Sequence, residues 1–352
     1  MRNSAILIAC GFVLQLLTGG ASAQTQPATR PVLHGIAEKY SNDAGIEKDP
    51  AVIFADNFDA TEAGTVSGRP IVDTAASAPS AASTVASRPA TQPSLAGWDG
   101  RHGKGSVRIV PGQVVQDGRE LPGKNVLQLG CWGGVESAAG ITKLLGNYQS
   151  PKQGKGPGLE EVFIRYYQRL DEGYVSQPNH GANVGGRDVT RPGSWWVGQA
   201  GIRDVASKGY FYSGLQPYAM GKGGGMYWGF YSYHLDKRDA WGDNYRPVAD
   251  EKPEAKVGRW YCLERRLKLN SVDPLKADGL EELWVDGKLA IRREGLRFRN
   301  VAEVRIEVLN LEMYYHKVLP QYDQQNPVTV SYDNVVISKS YIGPIVPGTA
   351  TK

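Results

Sequence analysis

The chain has 352 residues, 40 Lys and Arg against 36 Asp and Glu (net charge +4), and is rich in Gly (43) and Pro (21). The small positive excess is spread out without a basic block, so nucleic acid is not an expected partner. Beyond the leader no stretch reaches the ~18 apolar residues of a membrane-spanning helix, so no membrane insertion is expected.

Residues 1–23 read as a cleavable signal peptide. Arg2 supplies the positive start, Ile6 to Leu17 the apolar segment and Ala21–Ser22–Ala23 the small-residue cleavage site. Cys10 falls inside the apolar run rather than at its end, which argues against lipid attachment there. A polar leader follows at 24–33, and the product is expected to be secreted or periplasmic. Two cysteines then remain, Cys131 and Cys262. In an oxidising compartment they either pair or serve as two buried small hydrophobes. No CxxC or HxxxH spacing suggests zinc.

Residues 34–347 read as one domain. Within it 60–96 is dominated by Ala, Ser, Thr and Pro, too poor in apolar residues to order itself, and is expected to be a long disordered loop. Strand-like runs occur at 51–59, 106–110, 125–129, 161–170, 259–270, 282–290, 304–315 and 330–338, with turn signals such as Asp286–Gly287 between them. Ala138–Leu145 is the one candidate for a short helix. The pattern is all-β, an antiparallel sandwich or jelly roll.

The most informative stretch is 209–235, which holds nine of the 33 aromatic residues. Gly221–Gly225 divides it into two alternating runs, a β-hairpin. Tyr210, Tyr212, Gln216 and Tyr218 share one face of the first strand, and Tyr227, Tyr231 and Tyr233 one face of the second. Phe211, Leu215, Trp228, Phe230 and His234 fall on the core-like faces. A row of phenols suits stacking against sugars and, with tuned acidity, proton transfer. Arg165, Tyr167 and Arg169 share a face of their strand, as do Glu264, Arg266 and Lys268, and either set could line a cleft for an acidic chain. His180 sits in a Gly/Asn-rich segment near the hairpin, and His316 is a weaker candidate. Asp56 and Asp59 could meet Asp333 and Asn334 if the first and last strands pair, a set suited to structural Ca²⁺. No Glu-x-Asp-x-Glu run signals a glycoside hydrolase.

Several segments carry a family resemblance: 258–270 (Gly-Arg-Trp-Tyr-Cys-Leu-Glu), Leu283–Lys288 with its Trp-Val-Asp-Gly turn, Gly295–Arg299, and Tyr332–Ser338. Together they resemble the concanavalin A-like jelly-roll proteins of polysaccharide-lyase type, which include alginate and glucuronan lyases. Asn179–Gly186 looks like that family's glycine-paired loop, Tyr210–Tyr218 and Tyr231–Tyr233 like the strands that follow it. Asn179 or His180 stands where a Lys is expected, and Leu215 or Gln216 where a basic residue is expected. The resemblance implies β-eliminative cleavage of an acidic, uronate-containing polysaccharide by a monomer with no required cofactor. Tyr231, Tyr233, His180 and Gln216 would do the chemistry. Tyr210, Tyr212, Tyr218, Tyr227, Arg165, Tyr167 and Lys268 would bind the substrate. For a tyrosine to act as base, neighbouring cations would have to lower its pKa. The alternatives are a non-catalytic carbohydrate-binding jelly roll or, failing that, a glycoside hydrolase.

Overall fold

Period-two alternation along the chain fixes two large sheets. A computed structural model describes residues 33–65, 95–132, 137–147, 156–176, 179–191, 201, 203–205, 209–220, 224–245, 247, 252–315 and 321–348, with backbone alone for Thr65, Ser137, Asn179 and His180. The segment expected to be a signal peptide and leader up to residue 32, positions 66–94 of the Ala/Ser-rich stretch and His316 lie outside the described residues. Residues His34–Lys352 form one compact unit.

The first strands are β1 (Val52–Asp56), β2 (Gly64–Thr65), β3 (Gly100–His102), β4 (Ser106–Pro111), β5 (Val115–Gln116), β6 (Arg119–Glu120), β7 (Asn125–Cys131) and β8 (Ser137–Leu144). Next come β9 (Glu161–Leu170), β10 (Asn179–His180), β11 (Asn183–Arg187), β12 (Tyr210–Ala219), β13 (Met226–Tyr233), β14 (Asp243–Tyr245) and β15 (Glu254–Ala255). The last are β16 (Trp260–Lys268), β17 (Gly279–Val285), β18 (Lys288–Leu296), β19 (Val308–Tyr315) and β20 (Val328–Ser338). The back sheet runs β18-β17-β16-β9-β20-β7-β4-β2, with β1 also on β20. The front sheet runs β14-β13-β12-β11-β19-β8-β3, with β10 on β19 and β15 on β13. Neighbouring strands pair antiparallel, which makes the unit an antiparallel β-sandwich of jelly-roll type.

The core lies between the sheets. Val162, Ile164 and Tyr166 of β9 meet Phe211 and Leu215 of β12, Trp228 and Phe230 of β13, and Leu309, Leu311 and Met313 of β19. Each fully buried aromatic or branched side chain contributes about 1.5–3 kcal/mol relative to exposure. On β20 the inward positions shift from Val330 and Tyr332 to Val335 and Ile337, because a register irregularity follows Asp333 and Asn334 takes φ 48°. Asp286 (φ 50°) and Gly287 (φ 77°) give the β17–β18 hairpin the left-handed pair its two-residue turn requires.

Two expectations are corrected, and the open question of the two cysteines is decided in favour of buried thiols. Ala138–Leu145 is not a helix: it forms most of β8, hydrogen-bonded to both β19 and β3. Its small residues serve a period of two, with Ala139 and Ile141 inward. Asn179–Gly186 is not a loop but supplies β10 and most of β11. Glycine is required at 186 because a Cβ there would lie 1.5 Å from the Arg305 carbonyl oxygen. Finally, no disulfide joins Cys131 and Cys262; both are buried thiols, with Cys131 against the Met313 carbonyl.

Candidate functional site

The site is built on the outer face of the front sheet. Tyr212 pairs with Tyr233 and Gly214 with Tyr231 across β12–β13. Asn183 of β11 sits beside Gly214 and Asn310. Asn310 sits beside Thr142, and Glu312 beside Gly140. His102 of β3 also neighbours Gly140. Cross-strand partners project to one face, so these side chains form a band running across the strands. From β13 to β8 it spans four strand spacings, roughly 19 Å.

At one end Tyr210, Tyr212, Tyr231 and Tyr233 pack with Leu144, Val205 and Val308. Their rings meet edge to face: Tyr212–Tyr233 at 5.9 Å and 89°, Tyr231–Tyr233 at 5.6 Å and 86°. Two glycines make this possible. A Cβ at Gly214 would lie 2.8 Å from Tyr212 Oη, and one at Gly242 2.8 Å from Tyr231 Cζ. The Tyr231 and Tyr233 hydroxyls are 3.2 Å apart, and the Gly242 N–H donates to Tyr231 Oη at 3.0 Å. Burial pushes the phenols of Tyr210, Tyr212 and Tyr233 above their ordinary pKa. For Tyr212 the nearby Glu312 carboxylate adds to burial, and for Tyr233 the hydrogen bond with Tyr231 does. The expected lowering by cations is therefore reversed for these three. A cation beside them is Lys237, with Nζ 5.2 Å from the Tyr233 ring centroid and donating to the Asp239 carbonyl at 2.6 Å. Burial pulls its own pKa down.

The other end is a closed ring of hydrogen bonds. Thr142 Oγ1 donates to Asn310 Oδ1 (2.7 Å), Asn310 Nδ2 to Asn183 Oδ1 (3.0 Å), and Asn183 Nδ2 to Glu312 Oε2 (3.3 Å). The His102 imidazole closes it, with Nε2 2.9 Å from Glu312 Oε2 and Nδ1 3.3 Å from Thr142 Oγ1. The His102 and Glu312 side chains remain 22% and 15% exposed. Gly140 creates the space: a Cβ there would lie 2.3 Å from His102 Cε1.

Behind the hairpin, Ser213 and Ser232 face each other across β12–β13 and point into the sandwich. Both hydroxyls donate to Glu281, Ser232 at 2.8 Å. Glu281 is paired with Arg293, while Arg265 donates to the Ser213 carbonyl at 3.0 Å and to its hydroxyl. Glu281 is 0% and Arg265 1% exposed, so this charged cluster clamps the hairpin from within the core.

The remaining expected site residues divide. Gln216 is buried in β12, at a position of the same parity as Tyr212. Tyr218 and Tyr227 stack on each other at 5.8 Å farther along the hairpin, and Tyr218 Oη donates to Asn244 Oδ1 at 2.9 Å. The His180 backbone pairs with Tyr314; its side chain lies outside the described residues. Arg165, Tyr167 and Lys268 are not with the phenols. They lie on β9 and β16 of the back sheet, with Arg165 fully buried against Asp43, the Gly343 carbonyl (3.3 Å) and the Asn334 carbonyl (3.2 Å). Tyr167 is sealed by accepting the Ile345 N–H at 2.9 Å and donating to Gln116. Lys268 shares the parity of Glu264, which accepts the N–H groups of Ile342 and Gly343 at 2.7 and 2.8 Å on that same far face. Asp56, Asp59 and Asp333 do approach one another: burial, then the two neighbouring acids, raises the pKa of Asp333. Among the described residues, however, no group of three His, Cys, Asp or Glu is arranged to hold a metal ion. Sequence reasoning missed Lys237, His102 and Glu312. His102 and Glu312 lie 210 residues apart, and no local signal joins them.

No family model matches the sequence, and no curated protein matches it. Solved structures similar to this chain include an alginate lyase in complex with alginate tetrasaccharide, at 13% identity over 71% of this chain and 88% of that one, TM-score 0.47. The endo-β-1,4-glucuronan lyase from the fungus Trichoderma reesei is similar at 18% identity over 70% and 92%, TM-score 0.45. An alginate lyase from Chlorella virus is similar at 13% identity over 69% and 93%, TM-score 0.42.

Proposed function

We propose that the protein is a secreted polysaccharide lyase that cleaves a uronate-containing polymer by β-elimination on the outer face of the front sheet. The observation that carries this reading is the hydroxyl pair Tyr231–Tyr233, 3.2 Å apart, with the Gly242 N–H directed at Tyr231 Oη. Elimination needs a base for the proton beside the carboxylate, an acid for the departing glycosidic oxygen, and a positive partner for the carboxylate. Tyr231 Oη accepts the Gly242 N–H, which orients that oxygen, and Tyr231 is assigned as the base on this geometry. Tyr233, held protonated by burial, is the donor. Lys237 over the Tyr233 ring is the cation for the carboxylate, and the His102–Glu312 pair farther along the band serves a neighbouring sugar. Gln216, of the same strand parity as Tyr212, extends the polar lining. The scheme uses protein groups only, and a band of roughly 19 Å suits a chain substrate better than a single sugar.

A second reading, carbohydrate binding without cleavage, is favoured by the low exposure of Tyr210, Tyr212 and Tyr233, between 1 and 5%. One assay separates the two. The protein is incubated with alginate, glucuronan and other uronate polymers while unsaturated products are followed by ultraviolet absorbance. A rise supports the lyase; retained binding with no rise on any polymer refutes it. Reducing ends without the absorbance would indicate hydrolysis and overturn both.

A further inference from the structure

The segment Leu235–Gly242 between β13 and β14 lies directly over the phenol pair. Its start is fixed by the Leu235 N–H donating to the Arg297 carbonyl (2.7 Å) and by the Arg297–Asp236 ion pair. Its end is fixed by Gly242 on Tyr231 Oη and by Asp243, whose Oδ2 is 3.0 Å from His234 Nε2. Lys237 and Gly242 point inward and are buried; Arg238, Asp239 and Trp241 are exposed. Trp241 is 54% exposed and is the only aromatic among the large hydrophobic side chains exposed in the described residues. An indole held in water on a doubly anchored segment is a preformed stacking surface. Gly242 tightens the link: with no Cβ it sits against both phenol rings, and the preceding residue is thereby set at the rim of the site. Three positions away, Arg238 has no ion pair or hydrogen bond among the described residues, whereas Asp236 is paired with Arg297.

We infer that Trp241 and Arg238 form an outer subsite for a hexuronate unit of an anionic polysaccharide. The apolar face of the pyranose ring stacks on the indole, and the ring carboxylate meets the guanidinium. The subsite rests on the reading of the phenol face as the polysaccharide site, and it sets affinity for longer chains. A neutral sugar would gain the stacking alone.

The test is binding of saturated uronate oligosaccharides and of neutral cello-oligosaccharides, by calorimetry and tryptophan fluorescence, to the wild type and to Trp241→Ala and Arg238→Gln. Both side chains are exposed, so both variants should melt with the wild type. Trp241→Ala should weaken uronate binding roughly tenfold and remove the ligand-induced fluorescence change. Arg238→Gln should weaken it roughly fivefold at low salt, with the difference shrinking as salt rises. Wild-type cleavage of a uronate polymer with KM and binding unchanged in both variants overturns the subsite while the lyase reading stands. Trp241-dependent binding without cleavage supports the subsite and overturns the lyase reading. Equal preference for cello-oligosaccharides overturns the assignment to uronate, and no binding to any uronate chain overturns both.

Discussion

Glu281→Gln tests the claim that a charged cluster inside the sandwich holds the tyrosine hairpin in register. The wild-type carboxylate is 0% exposed, pairs with Arg293 (side chain 9% exposed) and accepts both serine hydroxyls from the hairpin. Burial alone would raise its pKa, but Arg293, Ser213, Arg265 and Ser232 outweigh that and hold it lowered. The amide keeps the shape and removes the charge, leaving Arg265 and Arg293 uncompensated in the core. Breaking a buried pair from one side costs about 3–5 kcal/mol. At about 2 °C per kcal/mol for a domain of this size, the melting temperature should fall by roughly 6–10 °C. The neighbouring Glu282 is the control. It too is buried, but its partners Arg266 and Arg292 are 27% and 40% exposed and can return to water. Glu282→Gln should therefore cost only about 1–2 kcal/mol. Adding Arg265→Met to Glu281→Gln should recover stability, because the stranded charge is the source of the loss. Thermal and urea melts followed by circular dichroism give all four values. Equal losses for the two Gln variants, or no recovery in the double variant, would refute the argument.

Tyr233→Phe should reduce the elimination rate by at least about 100-fold while costing only about 1 kcal/mol of stability, measured by steady-state kinetics and a urea melt. Tyr231→Phe should abolish activity similarly but cost about 1–3 kcal/mol, since the Gly242 N–H loses its acceptor. Gly140→Ala should displace the His102 ring and break its 2.9 Å contact with Glu312, seen as a shifted imidazole resonance by NMR and weaker polymer binding. An unchanged resonance would show that the ring does not need the glycine. Burial raises Glu264 from 4.5 to about 7 despite two backbone hydrogen bonds and Arg165. A raised carboxyl contributes stability that is complete below the unfolded value and is lost as pH rises through the folded one. Stability should thus fall by about 3 kcal/mol for this group between about pH 4.5 and pH 8. Glu307, also raised to about 7 by burial, acts in the same window. Glu264→Gln should reduce the slope in pH-dependent melts, with Glu307 and the raised Asp333 keeping the remainder; an unchanged slope would assign it to other groups.

Much of the architecture was legible because period-two alternation is local. Glu161–Leu170 is read as a strand from its own residues, and the inward set Phe211, Leu215, Trp228 and Phe230 follows from parity. Parity does not say which sheet an outward face belongs to, and that is where Arg165, Tyr167 and Lys268 were misplaced. Nor does it reveal charges in the core: Arg265 and Glu281 occupy inward positions that composition alone would give to apolar residues. Ala138–Leu145 misled because Ala and Gly carry weak strand propensity, and pairing on both edges decided its state. The His102 ring depends on Gly140, whose value lies in an absent side chain.

The two outer faces of the sandwich are covered differently. On the back sheet the chain's own ends close over the surface: Ile36, Ala37 and Ile46 pack with Phe163, Trp284, Val336 and Ile342. Arg165 is paired there with Asp43 and donates to two carbonyls, so its charge is spent on folding. The front sheet keeps a different balance. His102 and Glu312 retain partial exposure, Lys237 sits over a phenol, and Arg238 and Trp241 stand in solvent beside it. On the back face the buried Arg165 is committed to Asp43 and two carbonyls, while on the front face Arg238 stays unpaired among the described residues. An anionic chain can replace water at such a guanidinium without first breaking an ion pair.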